Sequence, residues 1–192
     1  MLVDFNMSKT DNITAFILAG GQSSRMGTDK AVIMFKAKPM IEHVRGALSI
    51  SFKNIILISN HITHQSLGLP VIKDAFENIG PLGGIIAGLR HSQTELNLFM
   101  ACDMPMVTPQ IINALVEQTK PNSCTTTSYN GKIETLCTLF PKSALPQLEE
   151  MVNDQRYRLY DVLDSLKAQV VDVSHLCSFN PFANINTPED LQ

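Results

Sequence analysis

Apolar runs and amphipathic segments alternate along the first half of the chain. Short apolar runs predict strands at 13–18, 54–59, 69–74 and 96–103. The β-branched, uniformly apolar run at 54–59 is typical of a strand buried on both faces. Apolar residues at helical spacing predict helices at 39–50, 80–92 and 108–119. Thr108 is expected to cap the last of these helices, with Pro109 at its first position.

The second half of the chain is less regular. Its patterns predict strands at 122–129, 133–140 and 168–173, and helices at 143–154, at 158–166 and from 187 onwards. Strand–helix alternation predicts an α/β fold, in which a predominantly parallel sheet carries helices on both faces in a three-layer α/β/α, Rossmann-like arrangement. We expect a flexible leader over residues 1–12 and one domain over residues 13–192.

Composition narrows the class of protein. The chain has 192 residues, 44% of them hydrophobic, and a formal net charge of -3. This balance suits a globular protein with a sizeable core and argues against a general partner of nucleic acids or anionic membranes. No apolar stretch approaches a membrane span, and the N-terminus has no secretory pattern. Four dispersed cysteines without a CxxC pair suggest neither zinc nor disulfides, so we expect a cytoplasmic protein.

A glycine-rich, basic loop follows the first predicted strand, in the segment ILAGGQSSRMGTDKA. Backbone N–H groups in such a loop bind phosphate oxygens, and Arg25 and Lys30 would add positive charge. The loop matches neither G-x-x-x-x-G-K-[ST] nor G-x-G-x-x-G. From the residues alone, a phosphate site and an ordinary basic turn both remain open.

Two aspartates follow other predicted strands. Asp103, in FMACDMP, stands at a strand end, where a carboxylate holds Mg²⁺ beside substrate phosphates or simply caps a turn. Asp74 is placed to accept the N1 and N2 protons of guanine, to bind a ribose hydroxyl, or to cap the next turn. Gly83 is expected near the ligand, whereas Gly88 is expected to pack against the sheet.

Weaker candidates lie elsewhere in the chain. Asn184 and Asn186 alternate in FANINTPEDL and would point the same way on an extended segment, towards a polar ligand or in a turn. His61 and His64, in HITH, have no evident third metal ligand. The serines of the basic loop have no evident His–Asp partners, which argues against nucleophilic catalysis.

Together these segments resemble the molybdenum cofactor guanylyltransferase family of the nucleotidyltransferase superfamily. The resemblance is carried, in the family's order, by LAGGQSSRMGTDKA, KPMIEHV, DAFENIGPLGGIIAGL, ACDMP and NINTPEDL. The Gly20–Gly21 pair is similar to the guanylyl branch, whereas cytidylyl relatives carry Ala-Gly. The implied fold is a nucleotidyltransferase domain.

The resemblance implies transfer of GMP from GTP to the terminal phosphate of molybdenum-molybdopterin, with release of pyrophosphate and with Mg²⁺ as the cofactor. It also implies transient contacts with molybdenum cofactor biosynthesis proteins or apo-molybdoenzymes. The implied nucleotide-binding residues are Leu18, Ala19, Gly20, Gly21, Lys30, Asn60, Asp74, Gly83 and Asp103. Arg25, Lys30 and Asp103 are implied to be catalytic, Asp103 to bind the metal, and Asn184 and Asn186 to bind the acceptor.

One position departs from the family pattern. Ile58 stands where the family often has an asparagine, so base contacts there would come from Asn60 or from a backbone group. Two other functions remain open: a related enzyme that uses CTP or a sugar-phosphate acceptor, and a non-catalytic nucleotide-binding module.

Overall fold

A computed structural model describes residues 10–20, 29–76, 78–183 and 185. Its strands are β1 (Ile13–Leu18), β2 (Met34–Phe35), β3 (Lys38–Pro39), β4 (Asn54–Ile58), β5 (Val71–Ile72), β6 (Leu96–Ala101), β7 (Thr125–Tyr129), β8 (Lys132–Pro141) and β9 (Gln169–Asp172). Its α-helices are α1 (Met40–Ser49), α2 (Pro81–His91), α3 (Pro109–Gln118), α4 (Leu145–Asn153) and α5 (Leu159–Ser165).

The central sheet has the strand order β5-β4-β1-β6-β8-β7-β9. Strand β8 runs antiparallel to its neighbours β6 and β7, and the other adjacent pairs are parallel. The prediction of a predominantly parallel sheet is therefore confirmed. The antiparallel β8 divides the sheet into an N-terminal group of four parallel strands and a C-terminal pair, β7 and β9.

Two apolar cores lie on opposite faces of this sheet. On β1, Ile13, Ala15 and Ile17 join one core with α1 and α3. Phe16 and Leu18 join the other core with α2, α4 and α5. Because alternate residues of a strand point to opposite faces, both faces of β1 are covered. The predicted three-layer α/β/α arrangement is confirmed.

Local structure departs from the patterns at two helix starts. The predicted helix at 39–50 begins one residue later, because Pro39 pairs in the short β2–β3 hairpin and has an extended backbone (φ -55°, ψ 142°). Thr108 occupies the N-cap position of α3, with Pro109 following, but its side chain makes no capping hydrogen bond. The helix predicted from 187 onwards falls outside the described residues.

The end of the predicted leader packs onto the domain. Thr10 is buried, and Asp11 Oδ1 lies 2.8 Å from Lys53 Nζ. Residues 1–9 fall outside the described part, so the flexible leader stays a prediction. None of the helices in the described ranges is long and apolar enough to span a membrane.

Candidate functional site

Four neighbouring strands end in the same way at one edge of the sheet. The second residue beyond each strand is Gly20 after β1, Asn60 after β4, Asp74 after β5 and Asp103 after β6. All four residues line a single cavity of about 840 Å³. Because these strands are parallel neighbours, their carboxyl ends meet, and this is where α/β sheets bind ligands.

Lys30 and Asp103 form an ion pair inside this cavity. Lys30 Nζ donates to Asp103 Oδ2 at 3.4 Å, and the two side chains are 26% and 14% exposed. The pair joins the end of the basic loop to the end of β6, 73 positions apart in the sequence. The structure therefore brings together the two residues for which the sequence suggested phosphate and metal binding.

The other carboxylate oxygen of Asp103 is a candidate ligand-binding atom. Oδ1 is buried and accepts no hydrogen bond from any residue that the structure describes. A buried, unsatisfied carboxylate oxygen costs free energy unless a donor or a cation reaches it. Hard divalent cations prefer such oxygen ligands, so the residues present fit Mg²⁺.

Asp74 is held in a fixed orientation beside the cavity. Its Oδ1 accepts a hydrogen bond from Phe76 N at 3.0 Å, and its own backbone N donates to Asn60 Oδ1 at 3.1 Å. Burial raises the pKa of the Asp74 carboxyl above its ordinary value, and the backbone hydrogen bonds from Phe76 and Ala75 oppose that shift. A carboxylate held in this way is a ready acceptor for paired N–H groups.

Three glycines of α2 allow the helix to approach these groups closely. A Cβ built on Gly83 would overlap Asp74 Oδ1 and stand 3.0 Å from the Phe76 carbonyl oxygen. A Cβ on Gly84, which lines the cavity, would stand 2.8 Å from Leu18 Cδ2. Gly88 packs against the Phe99 ring, as predicted from its position on the helix. Gly83 thus lies against Asp74, and its predicted nucleotide contact stays a prediction.

Leu18 and Ala19 place their backbone at the cavity wall. The Leu18 carbonyl accepts from Cys102 N at 3.1 Å, and Ala19 N donates to the Ile58 carbonyl at 3.0 Å. These two groups are therefore committed to the sheet. Ile58, at the position that departs from the family pattern, is buried and lines the same cavity with an apolar side chain.

Four predicted site residues fall outside the described residues: Gly21, Arg25, Asn184 and Asn186. Ile185, between the two asparagines in sequence, donates its backbone N–H to the Asp103 carbonyl at 3.3 Å. Its side chain packs with Phe35 and Met40. The C-terminal segment therefore reaches the metal-binding candidate at Ile185.

Asp29 and His64 were not predicted as site residues. Asp29 Oδ1 accepts from Ala31 N at 3.1 Å, and its Oδ2 is hydrogen-bonded to Nε2 of the fully buried His64. Asp29 and His61 line the cavity. The available signals were the position of Asp29 directly before Lys30 and the HITH segment. Within the described ranges, no three His, Cys, Asp or Glu side chains cluster as a metal site.

Known proteins are similar to this chain over most of its length. Residues 15–170 match the family described as "MobA-like NTP transferase domain". A protein of Carboxydothermus hydrogenoformans named "Probable molybdenum cofactor guanylyltransferase" is 34% identical over 94% of this chain and 94% of its own. The "Molybdenum cofactor guanylyltransferase" of Vibrio cholerae is 34% identical over 91% of this chain and 87% of its own.

A solved structure shares the fold. The molybdopterin-guanine dinucleotide biosynthesis protein A of Archaeoglobus fulgidus superposes with a TM-score of 0.72 at 24% identity. The superposition covers 93% of this chain and 94% of the other. The similarity therefore extends over both groups of strands in the sheet.

Proposed function

This chain belongs to the MobA-like NTP transferase domain family, and on that premise we propose that it transfers GMP from GTP to the phosphate of molybdenum-molybdopterin. The products are the molybdopterin guanine dinucleotide cofactor and pyrophosphate. Relatives named molybdenum cofactor guanylyltransferase, at 34% identity, support this choice of substrates.

One observation carries the proposal: a candidate base-binding group and a candidate phosphate-binding pair line the same cavity. The Asp74 carboxylate is oriented by backbone hydrogen bonds at the end of β5. The Lys30–Asp103 pair lies at the end of β6, and strands β4 and β1 lie between β5 and β6 in the sheet. Guanine offers N1–H and N2–H donors side by side, which match a carboxylate, whereas cytosine has no such pair.

The reaction exchanges one phosphorus–oxygen bond for another. An oxygen of the acceptor phosphate attacks the α-phosphorus of GTP, and the bond from that phosphorus to the oxygen bridging to the β-phosphate breaks. Pyrophosphate leaves with the bridging oxygen. Since a phosphate anion is already a nucleophile, the protein has to supply position and charge compensation rather than a strong base.

Each charged residue of the site has a part in this task. Lys30 is proposed to exchange its Asp103 partner for nucleotide phosphate oxygens, where it compensates the charge that develops on the pyrophosphate. Asp103 is proposed to hold Mg²⁺ through Oδ1, the oxygen without a hydrogen bond from the described residues. When bound, Mg²⁺ supplies charge neutralisation of the phosphates.

The residues outside the described part complete the proposal. Arg25 is proposed to bind phosphate oxygens with Lys30, and Gly21 to present its backbone to the nucleotide. Asn184 and Asn186 are proposed to bind the acceptor, consistent with the contact of Ile185 to Asp103.

The remaining expectations are also proposals. We propose that residues 13–192 act as one nucleotidyltransferase domain. We propose that the protein works in the cytoplasm, where reduced cysteines such as its free Cys102, Cys124, Cys137 and Cys177 persist. There it would contact molybdenum cofactor biosynthesis proteins or apo-molybdoenzymes transiently.

Mass spectrometry of the reaction products tests the function directly. The purified protein is incubated with molybdenum-molybdopterin, Mg²⁺ and either GTP or CTP, and the pterin products are weighed. We expect a GMP adduct with GTP and at most a trace of CMP adduct with CTP. Efficient CMP transfer would contradict the base assignment, and GTP binding without any transfer would contradict the enzymatic proposal.

A pair of lysine variants provides the matched control. Lys30→Ala should slow GMP transfer strongly because it removes the ammonium group from the cavity. Lys142→Ala removes a lysine whose Nζ donates to the Ser92 carbonyl, away from the cavity residues, and should leave transfer intact. Equal losses in both variants would contradict the role of Lys30.

A further inference from the structure

The second histidine of HITH is a fully buried titratable side chain close to the cavity. His64 has no exposed surface, and its Nε2 is hydrogen-bonded to Asp29 Oδ2. It lies in the short 3-10 helix Ile62–Leu67 that follows β4, where its backbone N donates to the His61 carbonyl and His61 N donates to Ser59 Oγ. These contacts hold the His64 imidazole beside the residues that follow β4.

Asp29 connects this histidine to the neighbouring Lys30. One carboxylate oxygen accepts from His64, and the other accepts from Ala31 N and so caps the short 3-10 helix Lys30–Val32. The backbone on both sides of Lys30 is thereby held through one carboxylate. The basic segment that ends at Lys30 is tied to the turn after β4, 35 positions away in sequence.

We propose that His64 is a positioning residue that acts through Asp29 to keep the Lys30 ammonium at the phosphate end of the cavity. This inference rests on the proposed function, which gives Lys30 the nucleotide phosphates. Without the Nε2–H donor, the Asp29 carboxylate would lose a partner and become a competing anion directly beside Lys30. Lys30 would then be drawn away from the ligand.

A double-mutant cycle separates positioning from general structural support. GTP affinity in Mg²⁺ is measured by calorimetry for wild type, His64→Leu, Lys30→Ala and the double variant. His64→Leu should weaken GTP binding about 10-fold. The double variant should bind within about twofold of Lys30→Ala alone, because His64 has no effect once Lys30 is gone. Losses that multiply across the two sites would overturn the proposal.

Rescue by the conservative variant is the second readout. Glutamine carries an N–H donor at about the reach of histidine Nε2, so His64→Gln should recover GTP affinity to within about threefold of wild type. Recovery no better than in His64→Leu, at equal thermal stability, would overturn the proposal. Thr138→Val, which removes a buried hydroxyl bonded to Thr126 in the sheet, controls for loss of a buried hydrogen bond and should leave affinity unchanged.

These measurements distinguish an error in the proposed reaction from an error in the proposed role of His64. If wild type binds GTP but transfers no GMP, the proposed reaction is wrong while the binding cycle still decides the role of His64. If wild type transfers GMP but the cycle is additive, the role of His64 is wrong and the reaction stands. If wild type binds neither GTP nor CTP, both proposals fall.

Discussion

Gly83→Ala should separate nucleotide binding from fold stability. Gly83 lies in the first turn of α2, directly against the Asp74 carboxylate. The added methyl would overlap Asp74 Oδ1, and the two atoms must separate by about 1 Å to make an ordinary contact. Asp74 is the group that can move, because the Phe76 carbonyl bounds the methyl on another side at 3.0 Å.

Gly83→Ala should change the free energy of GTP binding more than the free energy of unfolding. In a helix, alanine is favoured over glycine by about 1 kcal/mol. Loss of the hydrogen bond from Phe76 N to the half-buried Asp74 carboxylate costs about 1.5 kcal/mol, the lower end of the range for a charged acceptor, so stability should change by less than about 1 kcal/mol. A hydrogen bond to a charged group contributes about 1.5–3 kcal/mol. Displacing the carboxylate from its proposed contact with guanine should therefore weaken GTP binding about 10- to 100-fold.

Two other helical glycines provide matched controls for the same added methyl. Gly46 is exposed in α1, and a Cβ added there would meet nothing within 4 Å, so alanine should stabilise the fold by about 0.5–1 kcal/mol without affecting GTP. Gly88 would place a Cβ 2.5 Å from Phe99 Cε1, whose ring stacks on Phe16, so overpacking should destabilise the fold by about 1–3 kcal/mol.

The measurements are thermal unfolding and GTP calorimetry on all three variants. GTP binding by Gly83→Ala as tight as that of wild type would contradict the role of Gly83 beside Asp74. A loss of stability in Gly83→Ala as large as that in Gly88→Ala would also contradict it, since the glycine would then serve packing rather than the Asp74 carboxylate.

Three further predictions concern charge and thiols. Asp103→Asn should keep the fold and lose Mg²⁺-dependent GMP transfer, and activity at normal Mg²⁺ concentrations would contradict its metal role. Because burial raises the pKa of Asp74, its charged form destabilises the folded state at neutral pH. Asp74→Asn should therefore unfold at a higher temperature than wild type. This difference in unfolding temperature should disappear as the pH falls through the raised pKa and below the ordinary value of 3.8. A pH-independent difference would contradict this. Burial raises the thiol pKa of Cys102 and Cys137 to about 12, so Cys177 should react with a thiol reagent well before either of them in the native protein, and fast modification of the buried pair would show that they are accessible.

The sequence predicted the parts of the fold that depend on uninterrupted patterns. The apolar runs of β1 and β6 identified central strands, and the residues just beyond them identified Asp103 and the basic loop. Parallel connections then required these groups to meet at one edge. The direction of β8 could not be predicted in this way, because an antiparallel central strand with both faces covered has the same apolar pattern as a parallel one.

Contacts between particular side chains were harder to predict from the sequence than the positions of strands. Gly83 was expected near the ligand, but its close approach to Asp74 depends on how α2 lies against the end of β5. The Asp29–His64 contact depends on a turn that the pattern of apolar residues does not specify. His64 was considered only as a metal ligand, because its single carboxylate partner is distant in sequence.

The Lys30–Asp103 ion pair should also affect which ligands bind in the cavity, because a ligand that binds Lys30 has to replace its interaction with Asp103. Lys30 compensates the charge of the Asp103 carboxylate, so an anion that draws Lys30 away removes this compensation from Asp103. Free phosphate bound at Lys30 would therefore leave the charge of the Asp103 carboxylate uncompensated by this ion pair. A magnesium–nucleotide complex presents both charges together and satisfies both residues at once. The pair should therefore protect the site from inhibition by inorganic phosphate in the cell, without excluding the substrate.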